Sequence, residues 1–338
     1  MGFIASSTQA IEFFHWRHRA GIAGFPGRNL HMSNPTDFVL SGSFAAAIGL
    51  FLISALLRWV LAPRRWAVAA PPPVTDDVSW QGDESPMLGP VLPDTQHGKV
   101  PVWFYRPLDL LGIGIMFFVF GGLALSAGQK PLDPSTSLSP MVLVVNIVFQ
   151  FILAGVVILI VNWRVTPVLW LGLRWPSWPW VFLIAPCSVF FMWVSALGLE
   201  FSGYMKWMKS FDVETVQDTV KVLQTSENPL VLGLMAFAAI ITAPICEEIV
   251  FRGYFYPAMK KFAGVWPAAV ASSLIFGLAH GNLTALFPLF VFGLLLVFVY
   301  EKTGSLWAPV AVHFCFNGST VIIQLLARYF HLPVDASP

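Results

Sequence analysis

The stretch "CEEIVFRGYFYP", residues 246–257, sets Glu247, Glu248 and Arg252 directly after "LVLGLMAFAAIITAP", a run without a single charge. Two later segments also carry polar chemistry into apolar surroundings: "FGLAH", with Phe276 and His280, and "HFCFN", with His313 and Asn317. An ionisable side chain inside a membrane span costs about 2.5–3.5 kcal/mol on insertion scales, so such groups need partners and usually a function. Glu248 and Arg252 are four residues apart, on one helical face, and can form an ion pair. Glu247 is turned about 100° away and has no partner on its own helix. His313 and Asn317 are likewise four apart and share a face. Phe276 lies one turn before His280 and can form a wall of the same pocket.

A carboxylate beside an imidazole can hold a water and take its proton when burial poises both groups. Two donors on another helix can stabilise the oxyanion formed when that water attacks an amide carbonyl. The set reads as a peptide hydrolase without a nucleophilic side chain. Other chemistries stay open on the same residues. His280, His313 and Glu247 make a His/His/Glu set of the kind that binds zinc, although no HExxH is present. Cys246 and Cys315 flank the cluster and could serve a thiol protease, but cysteines buried in apolar surroundings are usually inert. The polar groups could also pin helices together in a non-catalytic membrane scaffold or immunity protein. A proton-relaying transporter would use buried charges too, but the apolar pattern holds no inverted repeat.

The elements that must position these groups are membrane helices. The chain has 338 residues, 57% apolar and 11% charged, with a mean hydropathy of +0.72; soluble domains run at about 45–50% apolar and about 25% charged. The fold class expected is an all-α polytopic membrane bundle of about eight spans, each of about 20 residues: 38–57, 108–128, 140–161, 180–199, 229–256, 266–281, 284–300 and 306–326. "AMKKFAGVWP" joins the fifth and sixth as a tight connection. The midpoint between Glu247 and His280 falls between Ala263 and Gly264, inside that connection, so an antiparallel hairpin sets the glutamate and the histidine level with each other. His313 and Asn317 follow the "EKTGSLWAP" turn on the same side of the membrane and reach a comparable depth.

Taken together and in order, "EEIVFR", "FGLAH" and "HFCFN" resemble the three signatures of the CAAX prenyl protease and bacteriocin-processing family. The resemblance covers roughly residues 229–326. It implies an eight-helix intramembrane endopeptidase with its site in a cavity open to one face. It also implies that Glu247 activates water with His280 as partner, that His313 and Asn317 stabilise the oxyanion, and that Glu248 and Arg252 hold the helix in place. Members of this family have been described as metalloproteases; the spacing here suits the glutamate-dependent description, which needs no cofactor.

The rest of the chain divides into an N-terminal arm (1–37), a first span (38–62), a proline-rich acidic linker (63–107), three spans (108–199), an amphipathic interfacial segment (200–228), the core that carries the motifs (229–326) and a tail (327–338). The amphipathic segment has Val213, Val216, Val220 and Leu223 at helical spacing. A net charge of +1 with scattered basic residues excludes a nucleic-acid surface. The partners expected are the lipid bilayer and a membrane protein or peptide substrate, and the expected location is multi-pass in the cell membrane.

Overall fold

The computed structural model describes residues 35–61, 98–127, 139–210 and 218–331, and its regular secondary structure is entirely helical there. The principal helices are α1 (Pro35–Leu61), α2 (Asp109–Ala127), α3 (Pro140–Asn162), α4 (Val181–Phe201), α5 (Tyr204–Lys209), α6 (Asp218–Thr225), α7 (Pro229–Ala263), α8 (Val265–Leu278), α9 (Leu283–Thr303) and α10 (Trp307–Tyr329). The all-helical membrane bundle expected from composition is what forms. The eight apolar runs divide, however, into six helices long enough to cross a membrane and two shorter ones, Asp109–Gly122 and Val265–Leu278. With 14 residues, α8 rises about 21 Å at 1.5 Å per residue, short of the roughly 30 Å hydrocarbon layer.

Local chemistry sets the helix ends. The Asn228 side chain accepts from Leu230 N and Val231 N ahead of Pro229, which opens α7. Asn282 caps α9 in the same way through Ala285 N at 2.8 Å. Gly264, with φ of 92°, separates α7 from α8, a conformation that only glycine adopts without strain.

α7 runs past the boundary expected at residue 256 because its lysines do not end it. Lys260 is buried, and its Nζ donates to Glu301 Oε1 of α9 at 2.7 Å and to the Val100 carbonyl at 2.9 Å. Tyr256 donates to the same Glu301 oxygen at 2.6 Å. The expected linker also differs over its last ten residues. Segment 98–107 is packed against the bundle, with Val100, Val102, Phe104 and Tyr105 buried; residues 63–97 lie outside the described part, as do the arm to residue 34 and the tail from 332. Of the amphipathic segment, Val213 and Val216 lie outside it as well. Its described end, α6, docks on α10: Leu223 is buried and Gln224 donates to Gln324 Oε1 at 2.6 Å.

The core lies where α7, α8 and α9 meet, with α1, α2, α3 and α10 around them. α8 and α9 approach closely at Gly293, where an added Cβ would stand 2.8 Å from the Ser273 Cβ. Small residues allow this kind of contact between membrane helices, where dispersion rather than water exclusion drives packing.

Candidate active site

α7 is not a uniform α-helix. Two π-helical segments, Ala238–Thr242 and Ile249–Phe255, flank the six residues Ala243–Glu248 that carry both glutamates. Each π segment ends two residues before a proline, Pro244 and Pro257, and the prolines explain what happens to the backbone. Ala243 N–H donates to Ala238 O, five residues back, so it is lost to the Ala239 carbonyl. The next donor along would be residue 244, but that is Pro244, which has no N–H. The orphaned Ala239 carbonyl is taken instead by Asn317 Nδ2 of α10 at 2.9 Å. The second case is parallel. The Gly253 carbonyl would accept in α-helical register from residue 257, which is Pro257. It accepts instead from Trp170 Nε1 at 2.7 Å and Tyr105 Oη at 2.8 Å. π segments of this kind are rare and concentrate at functional sites.

Glu248 and Arg252 form their ion pair at 2.9 Å, Arg252 Nη1 to Glu248 Oε1, with side chains 0% and 2% exposed, so that neither charge meets solvent. Arg252 Nη2 also donates to the Gly293 carbonyl at 3.2 Å, and the guanidinium lies 4.3 Å from the Phe276 ring centroid, a cation–π contact. His313 is held by this same carboxylate: its Nδ1 lies 2.9 Å from Glu248 Oε1. Phe276 stands between the histidines, with ring centroids 5.0 Å from His280 and 6.1 Å from His313, so it is wall and cation platform at once.

His280 sits in the turn after α8, not within a span. Its Nδ1 lies 2.8 Å from the Phe276 carbonyl. A carbonyl can only accept, so Nδ1 carries the hydrogen and Nε2 is left as the acceptor of the neutral ring. Glu247 is 4% exposed, yet neither of its carboxylate oxygens has a hydrogen-bond partner among the described residues. Phe251, which lines a cleft with Glu247, has its ring 5.2 Å from that of Phe276, the ring that contacts both histidines and Arg252. Together with Gln150, Leu153, Cys246, Val250 and Phe251, Glu247 lines a cleft between α3 and α7 with room for about one water molecule.

The structure thus brings Glu247, His280, His313, Glu248, Arg252 and Phe276 to one place, with Asn317 one turn beyond His313 on α10 and bonded to α7. Among the described residues no group of three His, Cys, Asp or Glu side chains is placed so that it could hold a metal ion. Cys246 lines the cleft, while Cys315 is only partly buried.

Two supports escaped the sequence reading. Asp109, buried at the start of α2, receives Tyr254 Oη at 3.0 Å and Arg164 Nη1 at 2.6 Å. Tyr254 follows the motif arginine by two residues, but nothing local to it points to residues 109 and 164. In α3, Asn146 and Gln150 are both buried, and Gln150 Nε2 donates to Asn146 Oδ1 at 2.8 Å. That pair had a signal: two amides at i, i+4 in an otherwise apolar span.

Comparison with known proteins bears on the second half of the chain. Residues 229–319 match the model of the family described as "Type II CAAX prenyl endopeptidase Rce1-like". A Bacillus subtilis (strain 168) protein named "Putative membrane peptidase YdiL" is 35% identical over 112 residues, 33% of this chain and 43% of that protein. "Membrane-embedded CAAX protease MroQ" of Staphylococcus aureus (strain USA300) is 34% identical over 101 residues, 28% of this chain and 41% of the relative. "CAAX prenyl protease 2" of Homo sapiens is 34% identical over 96 residues, 22% of this chain and 29% of the relative. No solved structure matches. The chain therefore spans less than half the length of these relatives. Its similarity to the CAAX-type membrane endopeptidases, the family its three motifs resemble, is carried by the helices that build the site. The six long apolar helices and these relatives together make it an integral, multi-pass membrane protein.

Proposed function

We propose that this chain is an intramembrane endopeptidase in which Glu247 and His280 activate water while His313 and Asn317 stabilise the oxyanion. The observation that carries the reading is the Glu247 carboxylate, buried with both oxygens unpartnered, at the edge of a cleft that fits a water. A carboxylate whose only role was to pin helices would be expected to meet donors, as Glu248 does by accepting from both Arg252 and His313 at Oε1.

In the reaction, the water oxygen attacks the carbonyl carbon of the scissile amide and Glu247 takes the proton it loses. His280 Nε2, the free acceptor, passes that proton toward the leaving nitrogen, the C–N bond breaks, and the products are a carboxylic acid and an amine. His313 donates Nδ1–H to Glu248, so a second proton on Nε2 gives an imidazolium with a donor for the oxyanion, its charge balanced by the Glu248 carboxylate. Asn317 Nδ2 uses one hydrogen on Ala239 O and has a second for the same oxyanion. With Glu247, Glu248, Arg252 and His313 all charged, the cluster sums to zero, which suits a dry site.

The substrate is a membrane protein or peptide. The name of one relative, "CAAX prenyl protease 2", points to a prenylated substrate, and a bound prenyl chain would suit a site walled by Phe251, Phe276 and Phe292. The test compares the protein termini in membranes of cells that express the wild type or the Glu247→Gln variant. New termini specific to the wild type are expected. Identical sets of termini would remove the proteolytic reading and favour the non-catalytic scaffold.

A further inference from the structure

We propose that Gln150 of α3 is a catalytic residue, the second hydrogen-bond acceptor for the attacking water; the inference rests on the endopeptidase reading above. A water that gives one hydrogen to Glu247 still has another, and in a site closed to solvent that O–H needs an acceptor. Gln150 is 2% exposed, its Oε1 has no hydrogen-bond partner among the described residues, and it lines the same cleft as Glu247.

The side chain is also oriented for the task. Its Nε2 donates to Asn146 Oδ1 at 2.8 Å, one turn back along α3, which commits the amine side and turns the carbonyl oxygen away from it. Leu153, the next cleft residue of α3, adds an apolar side chain to the same lining. An isolated glutamine in an apolar helix costs several kcal/mol unless its polar atoms are satisfied, and half of this one is left unsatisfied beside the group that would activate the water. With its two hydrogens directed to Glu247 and Gln150, the water presents a lone pair to the substrate carbonyl in a fixed direction. As the first hydrogen moves to Glu247, the second stays on oxygen and ends in the carboxylic acid product, so Gln150 neither gains nor loses a proton.

Two measurements test this. The first needs no substrate: a map of the wild-type protein at a resolution that shows waters. It should hold a water within about 3.2 Å of both a Glu247 oxygen and Gln150 Oε1; a map with none there, or with a water on Glu247 alone, overturns the proposal. The second is kinetics on a quenched peptide that ends in a farnesylated cysteine and three further residues, for wild type, Gln150→Leu, Gln150→Met and Glu247→Gln. Both Gln150 variants should lower kcat by about 10- to 100-fold with KM within twofold and the unfolding midpoint held or raised, since an apolar side chain suits α3. Wild-type kcat in these variants, or a loss confined to KM, removes Gln150 from the reaction while leaving the Glu247 reading in place. A wild type no faster than Glu247→Gln removes both.

Discussion

Replacing Arg252 with methionine takes away three contacts at once: the Glu248 ion pair at 2.9 Å, the Gly293 carbonyl bond at 3.2 Å and the ring contact with Phe276 at 4.3 Å. What remains is the Glu248 carboxylate, buried, with one oxygen unpartnered and the other held only by His313. Removing one member of this buried, charge-neutral set leaves an uncompensated negative charge, at a cost of about 3–5 kcal/mol. At about 1.4 kcal/mol per tenfold, the low end already lowers the ratio of folded to unfolded protein by more than a hundredfold. Glu248→Gln keeps an acceptor for His313 Nδ1–H but removes the charge, so the double variant should recover much of the loss, with a coupling energy of about 2–4 kcal/mol across the cycle. Equilibrium unfolding in detergent micelles, followed by helical circular dichroism, measures all four proteins. An Arg252→Met variant within about 1 kcal/mol of wild type, or a strictly additive cycle, would refute the reasoning.

Pro244→Ala restores an N–H that can serve the Ala239 carbonyl within α7. Stability should hold or rise, since proline is the poorest residue in a helix interior, while kcat should fall at least about tenfold as Asn317 loses its anchor; an unchanged kcat would separate the π segment from catalysis. Asn317→Ala leaves the same carbonyl bare, at a cost of about 1–3 kcal/mol, and should lower the unfolding midpoint as well as kcat. Activity should survive exhaustive chelation and Cys246→Ala alike; loss after chelation, with restoration by zinc, would move the mechanism to a metal.

Much of the site was legible because helical spacing is rigid. Glu248 and Arg252, four residues apart, do pair, and the turn between Ala263 and Gly264 is where the hairpin argument requires it, since a glycine with positive φ closes it. What stayed hidden depends on contacts remote in sequence. Lys260 looked like part of a turn because its partner Glu301 lies 41 residues on. Segment 98–107 looked like linker because Lys260 and Gly253 fasten it from α7. The π segments could have been suspected from Pro244 and Pro257, each of which withholds a donor from an apolar helix, but which side chain repairs the gap is decided in three dimensions. His313 could be placed at the right depth, but its attachment to Glu248 rather than to Glu247 depends on how α10 is rotated about its axis, and spacing says nothing of that.

The most direct test is turnover by Glu247→Gln, a change of one atom on a buried side chain, measured with the protein shown to be folded and inserted. Loss of the base at Glu247 should reduce kcat by about 10²–10⁴-fold with an unfolding midpoint at or above that of the wild type. Turnover within a few-fold of wild type would mean that the water is activated elsewhere.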